Sequence, residues 1–152
     1  MRHLVSVLII GSLSIIACHR VSKTKDSITK SQMEQEAIHV IKKLHNAMND
    51  HNLDAMLDCV DSGYISEQPF YPDRNFAGRE QMQKNWTGIF ENYPDFASSL
   101  KRYSVSNDTI WTEWHWTGTQ VDSSHLNMVG VTIFKVEGGR ITNGRLFMKS
   151  VE

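Results

Sequence analysis

The sequence predicts an α+β domain in which three helices pack on one face of a curved antiparallel sheet. In the first half, apolar residues recur every three or four positions, the spacing that collects them on one face of a helix. From residue 100 onward, apolar and polar residues alternate in runs separated by turn residues, which is the pattern of antiparallel strands. Helices followed by a series of strands are typical of this class.

Two helices are predicted before residue 61. The first begins at Ser31, which stands three residues before Glu34 in the arrangement of a capping box. Its apolar stripe consists of Ala37, Val40, Ile41, Leu44, Ala47 and Met48. The second is short, from Leu53 to about Val60, and Asn52 is placed as its N-cap.

A third helix and five strands account for the remaining residues. The helix spans residues 78–93 and ends at Pro94, because the residue before a proline disfavours the helical conformation. One strand, residues 63–70, precedes this helix and is stopped by its proline. The later strands are predicted over residues 100–105, 109–117, 128–136 and 141–151, with a hairpin turn at residues 137–140.

The N-terminal segment has the features of a secretory signal. A short basic start precedes residues 4–16, which are mostly apolar and too few for a membrane-spanning helix of roughly 18 or more residues. The segment ends in Ile15-Ile16-Ala17-Cys18, which resembles a bacterial lipobox. We therefore expect a signal peptide over residues 1–17, a lipid on Cys18 and anchoring in the bacterial cell envelope. The alternatives are a signal cut elsewhere and an uncleaved anchor.

Charge divides the rest of the chain into a tether and a domain. Residues 18–31 carry four basic side chains against one acidic one, and we expect them to form a flexible tether that suits an anionic membrane surface. Residues 32–152 form the folded domain, with 11 Lys and Arg against 16 Asp and Glu, a net charge of −5. An acidic domain argues against nucleic acid as a partner.

Cys18 and Cys59 are the two cysteines of the chain. If Cys18 carries a lipid, Cys59 is left without a partner. Because Cys59 stands beside apolar positions at helical spacing, we interpret it as a small buried hydrophobic residue and not as a nucleophile.

Four short motifs, in order and spacing, resemble the SnoaL-like branch of the nuclear transport factor 2-like superfamily over about residues 33–149. The motifs are Asn52-Leu53-Asp54-Ala55, Ala77-Gly78-Arg79, Trp116-Thr117-Gly118-Thr119, and Gly139-Arg140-Ile141 before Arg145-Leu146-Phe147. The resemblance implies a cone, in which a bent sheet wraps the helices and leaves an apolar pocket at its open end. Relatives with this pocket act as isomerases, cyclases, dehydratases, hydrolases or non-catalytic modules. The function of a family member therefore depends on its site residues.

The positions that carry the family's acid–base chemistry hold other residues here. Gln68 stands where the resemblance implies the proton-abstracting aspartate of steroid isomerases, and an amide cannot take a proton. Leu44 and Thr132 fall at the positions of the isomerase's tyrosine and protonated aspartate, and Lys149 replaces an acidic residue common in relatives. The resemblance therefore does not support isomerase chemistry of that kind.

Glu113 and His115 are the candidate catalytic residues. They are two positions apart on one predicted strand and project from the same face, where the carboxylate could orient the imidazole as a general base. The competing interpretation, which the pattern favours, is a polar pair on the outer face of the sheet while Trp114 and Trp116 fill the inside. Whether the protein is an enzyme of the lyase, isomerase or hydrolase kind stays open on these grounds.

The candidate ligand-binding residues are mostly aromatic. All 14 Phe, Trp and Tyr residues lie at or after Tyr64, on the strands and the third helix. The predicted pocket-lining residues are Trp86, Phe90, Trp114, Trp116 and Arg145, with Arg145 binding a carboxylate or pairing with Glu113. They predict a site for a small, largely apolar molecule.

Three further expectations concern partners and metals. The domain could form a homodimer, or serve as a structural module whose outer sheet face contacts a protein. His39, His45 and His51 are spaced by six, which does not place them together on one helical face, so no metal site is predicted. No cofactor is expected.

Overall fold

The computed structural model describes residues 16–122 and 124–151, with side chains from residue 30 onward. The helices are α1 (Ile16–Asn49), α2 (Leu53–Asp58) and α3 (Arg79–Asn92), and a short 3-10 helix spans Pro72–Arg74. The strands are β1 (Val60–Glu67), β2 (Phe76–Ala77), β3 (Ala97–Ser106), β4 (Thr109–Thr119), β5 (His125–Glu137) and β6 (Arg140–Ser150).

The six strands form one sheet in the order β2-β1-β6-β5-β4-β3. Neighbouring strands run antiparallel except β1 and β6, which run parallel. Gly138 and Gly139 have positive φ angles of 56° and 71°, which allow the tight turn that joins β5 to β6. The predicted α+β class, with N-terminal helices against a curled sheet, is confirmed.

The core lies between α1 and the inner face of the sheet. All six residues of the predicted α1 stripe are buried, and they pack in one cluster with Ile110, Trp114 and Ile141 from the strands. Asn52 caps α2 as predicted, because its side-chain oxygen accepts a hydrogen bond from the backbone N–H of Ala55 at 3.0 Å.

The first helix differs from the prediction at its N-terminal end. Ser31 lies inside α1 and does not cap it, and the backbone of residues 18–31, expected to be a flexible tether, is helical. The physical reason is that residues 19–49 contain no glycine or proline, so the helix extends backward from its packed stripe without a breaker. β1 and β3 also begin three residues earlier than predicted, at Val60 and Ala97.

The predicted lipoprotein signal falls mostly outside the described part of the chain. Residues 1–15 and the side chain of Cys18 are not described, so the signal peptide and lipidation stay predictions. Among the helices that the structure describes, none combines the length and apolar character needed to cross a membrane.

Candidate functional site

A cavity of about 760 Å³ lies between the helices and the inner face of the sheet. Its walls come from α1, α3 and every strand except β3. The largely apolar lining includes Leu44, Met48, Met82, Trp86, Ile89, Trp114, Trp116, Leu126, Met128, Phe134, Leu146 and Met148. The 3-10 helix between β1 and β2 contributes polar groups to the same cavity.

Strand alternation explains which side chains enter the cavity. Trp114 and Trp116 are two residues apart on β4 and share the inner face, as predicted. Trp114 is almost wholly buried, and its indole nitrogen donates a hydrogen bond to Thr112 Oγ1 at 2.6 Å. Trp116 packs edge-on against Trp86, with ring centroids 5.7 Å apart. These three tryptophans give the cavity much of its aromatic wall.

Two of the predicted ligand-binding residues lie elsewhere. Phe90 is not among the lining residues; it packs behind Trp86 and stacks on His51 with centroids 4.5 Å apart. Arg145 projects from the outer face of β6, where its Nε lies 3.0 Å from Glu67 Oε2. The predicted pairing of Arg145 with Glu113 is therefore wrong, because Glu67 is the register partner of Arg145 in the parallel β1–β6 pair.

Glu113 and His115 lie on the outer face, turned away from the cavity. The Glu113 carboxylate is held by the guanidinium of Arg102 on β3. His115 Nε2 is 2.8 Å from Asn127 Oδ1 on β5. Because Glu113 is paired with Arg102, it does not orient His115, and neither residue lines the cavity. The geometry matches the interpretation of an outer-face polar pair.

The charged residues that line the cavity are Asp73 and Arg74, both exposed on the 3-10 helix at its edge. Among the described residues, no His, Glu, Lys or Cys lines it. General acid–base catalysis requires a titratable group placed against the substrate. The interior wall lacks histidine, glutamate, lysine and cysteine, and its titratable groups are the phenols of Tyr64 and Tyr93.

Tyr64, the buried one of these two tyrosines, was not singled out by the sequence. Burial raises the pKa of Tyr64 to about 12, partly opposed by a hydrogen bond with Ser66. The hydroxyl therefore stays protonated at neutral pH. It lies over Gly144, where an added Cβ would approach it to 2.5 Å. The signal available in the sequence was the alternation of Tyr64, Ser66 and Gln68, all of which line the cavity.

Cys59 and the described histidines do not line the cavity. Cys59 is buried, its thiol donates to the carbonyl of Ala55 at 3.2 Å, and burial raises the pKa of that thiol. It therefore behaves as the predicted small hydrophobic residue. Across residues 30–122 and 124–151, no three His, Cys, Asp or Glu side chains are grouped as metal ligands would be.

Fold and cavity together define a class of small α+β domains in which a curled sheet and N-terminal helices enclose an apolar cavity. The family model of the SnoaL-like domain matches residues 41–144, and the chain belongs to this family. None of the curated proteins matches it.

Solved structures with the same fold include proteins of different assigned activities. One, from Jannaschia sp. CCS1 and assigned as a SnoaL-like polyketide cyclase, has 18% identity and a TM-score of 0.67 over 77% of this chain and 88% of its own. An LEH-like epoxide hydrolase from M. tuberculosis has 16% identity and a TM-score of 0.67 over 76% and 84%. An NTF2-like protein of unknown function from Cytophaga hutchinsonii has 11% identity and a TM-score of 0.59 over 74% and 89%. At these identities the likeness concerns the fold alone.

Proposed function

We propose that this protein is a binding module that holds one small, largely apolar molecule in its cavity. The observation that carries the proposal is the cavity itself: about 760 Å³, walled by aromatic and aliphatic side chains, with its two charged residues exposed at the edge. This volume falls within the roughly 300–1,000 Å³ of small-molecule sites, which pair apolar walls with few polar groups.

An enzymatic function is the weaker alternative. The solved relatives include an epoxide hydrolase and a protein assigned as a polyketide cyclase, so this fold can support catalysis. In this chain the proposed acid–base pair, Glu113 and His115, faces away from the cavity, and Gln68 replaces the expected carboxylate at the cavity wall. Binding without acid–base turnover accounts better for these positions.

The binding proposal is tested with N-phenyl-1-naphthylamine, a neutral probe that fluoresces in apolar surroundings. We expect the full chain to bind one probe molecule. Ile89→Arg, which adds a charge to the wall, weakens binding at least about tenfold, since burying an unpaired charge is unfavourable.

Ile133→Arg is the matched control. Ile133 is also partly buried, but it lies on the outer face of β5 opposite Trp111. We expect it to leave the probe affinity unchanged. Equal affinity of the two variants, or several probe molecules per chain, would reject binding in the cavity.

We also propose that the domain is tethered to a membrane of the bacterial envelope through Cys18. The support is the sequence: a signal-like apolar segment of the right length that ends in Ile15-Ile16-Ala17-Cys18. Expression in bacteria with labelled palmitate should yield a labelled protein, and Cys18→Ser should abolish the label while Cys59→Ser retains it. A label that persists in Cys18→Ser would reject the anchor.

A second proposed property is self-association through the outer face of the sheet. Trp111, Val129 and Val131 are 40%, 37% and 37% exposed there, an apolar surface of the kind that marks interfaces. Two ion pairs lie on the same face, Arg102 with Glu113 and Arg145 with Glu67, and Lys149 lies opposite Val129. Because each ion pair is neutral, these four side chains add no repulsion between two copies of this face.

The test of self-association is analytical ultracentrifugation of two valine variants. Val131→Glu should shift the chain from dimer to monomer. Val121→Glu, at a 79% exposed position in the turn between β4 and β5, should leave the dimer intact. A wild-type chain that stays monomeric at high micromolar concentration would end this proposal.

A further inference from the structure

The exposed part of the cavity lining comes from one short segment of the chain. Among the described lining residues, those that are exposed all fall within residues 73–85. They are Asp73, Arg74, Asn75, Ala77, Gln81 and Asn85, and we call them, with the half-buried Gln68 beside them, the mouth. The deeper wall is formed by buried apolar residues such as Leu44, Met48 and Trp114. A ligand in this cavity therefore has an apolar part inside and one end at the mouth.

Amide side chains predominate at the mouth, and they form two pairs. On α3, Gln81 Nε2 donates to Asn85 Oδ1 at 2.9 Å. Between β1 and β2, Asn75 Oδ1 accepts the backbone N–H of Gln68 at 2.6 Å, and Gln68 Nε2 donates to the Arg74 carbonyl at 3.3 Å. In the described part of the chain, no protein group bonds to the NH₂ group of either asparagine or to the side-chain carbonyl of either glutamine. Each amide pair therefore presents a free donor and a free acceptor.

The charges at the mouth favour neither an anionic nor a cationic ligand. Asp73 and Arg74 are its charged residues, one of each sign. The Arg74 guanidinium lies 4.5 Å from the ring centroid of Tyr71, which does not line the cavity. On the first turns of α3, Glu80 and Lys84 are paired with each other at 3.8 Å. A charged head group would therefore meet a like charge beside each opposite one.

Hydroxyl groups match the two amide pairs, because each hydroxyl both donates and accepts hydrogen bonds. A ring with several hydroxyls can bond to the free donor and the free acceptor of both pairs, whereas a single hydroxyl cannot. We infer that the ligand is an uncharged amphiphile, with an apolar body in the cavity and a sugar-like head of several hydroxyls bound by the four amides of the mouth. This inference depends on the proposed binding function and specifies the class of ligand.

Five compounds test the inference by displacing N-phenyl-1-naphthylamine from the full chain, each below its micelle concentration. Octyl β-glucoside, 1-octanol, octyl sulfate and octyltrimethylammonium share one tail, and methyl β-glucoside has the sugar without that tail. Octyl glucoside should bind at least about fivefold more tightly than octanol, since each added hydrogen bond contributes a modest net free energy. The two charged compounds should bind more weakly than octyl glucoside, and methyl glucoside should not displace the probe.

Variants of α3 then locate the head group. Gln81→Ala and Asn85→Ala each remove one amide and retain the helix, because alanine is the best helix former. Each variant should lower the glucoside-to-octanol affinity ratio, and the double variant should lower it further, with little change in octanol affinity. Gln83→Ala is the matched control. Gln83 is an exposed glutamine of the same helix that does not line the cavity, so this variant should keep the wild-type ratio.

The possible outcomes separate the inference from the function on which it rests. If the probe binds but octyl glucoside displaces it no better than octanol, the cavity binds ligands and the inference is wrong. Tighter binding of a charged compound, displacement by methyl glucoside, or an unchanged ratio in the double variant also overturns it. If N-phenyl-1-naphthylamine does not bind, the proposed function fails and the inference fails with it.

Discussion

Thr112 and Thr132 face each other across β4 and β5, and both are at most 1% exposed, but only the Thr112 hydroxyl is bonded. An unpaired buried hydroxyl costs about 1–3 kcal/mol, while a buried bonded one stabilises the fold. Ligand-free Thr132→Val should therefore unfold with an unchanged free energy or one about 1 kcal/mol higher. Thr112→Val should lower it by about 2 kcal/mol, since Trp114 Nε1 loses its acceptor.

Urea unfolding of the two variants beside the wild-type chain measures this difference. If Thr132→Val destabilises the protein as strongly as Thr112→Val, the Thr132 hydroxyl has a partner in solution.

At this scale the sequence predicts some side chains well and others poorly. The inward direction of Trp114 and Trp116 and the cap at Asn52 follow from local periodicity and capping, which depend on neighbours in the chain. The ion-pair partner of Arg145 cannot be predicted in this way, because Glu67 lies beside Arg145 only when β1 and β6 pair in parallel. Unpaired atoms such as Trp116 Nε1 are defined by the whole surrounding packing, so they become visible only in three dimensions.

Among the elements, α1 is hydrogen-bonded to the edge strand β3 through the side-chain amide of Asn49. Asn49 Oδ1 accepts the backbone N–H of Ser98 at 2.8 Å, and its Nδ2 donates to the Ser98 carbonyl at 3.1 Å. His45 Nε2 lies 3.0 Å from the same carbonyl. The helix thus satisfies backbone groups that an edge strand would otherwise leave open to pairing with another chain.

Removal of this amide should therefore destabilise the fold. Asn49→Ala should lower the free energy of unfolding by about 1–2 kcal/mol, because both backbone groups of Ser98 lose a partner. Asn46→Ala, an exposed asparagine on the same helix, should change it by less than about 0.5 kcal/mol. Thermal or urea denaturation of the two variants measures the difference. Equal effects would show that the hydrogen bonds of Asn49 with Ser98 contribute nothing to the free energy of unfolding.

The elements themselves were largely predictable, with specific exceptions. The apolar stripe of α1 and the alternating burial of β4 extend over enough residues for their periods to show in the sequence. The N-terminal extent of α1 was missed because a polar segment without glycine or proline gives no boundary signal. The two-residue strand β2 is too short to have a pattern.

For the molecule as a whole, the burial of Tyr64 makes the free energy of unfolding fall at high pH. Burial raises the pKa of Tyr64 to about 12, above the ordinary value of about 10. Between these values the unfolded chain releases the phenolic proton and the folded chain retains it. The contribution of Tyr64 is therefore complete below pH 10 and is lost as the pH rises to 12, by roughly 3 kcal/mol at most.

Denaturant unfolding of the wild-type chain and Tyr64→Phe between pH 8 and 12 tests this linkage. The comparison isolates Tyr64, since the other ionisable groups are common to both proteins. We expect the wild-type chain to lose more stability than Tyr64→Phe above pH 10. Parallel curves would show that Tyr64 ionises in the folded state as readily as in the unfolded one.

The parallel pairing of β1 with β6 also affects how the chain folds during its synthesis. Val60 pairs with Ile141, about eighty positions later, and the backbone N–H of Ile141 bonds to the Cys59 carbonyl at 2.8 Å. Contacts between such distant segments slow folding. While a ribosome is still synthesising β5, the edge of β1 that pairs with β6 is unpaired, and the apolar interior is open to water. A nascent chain at that stage is a natural client for chaperones, and it can fold completely only once β6 is free to move into place.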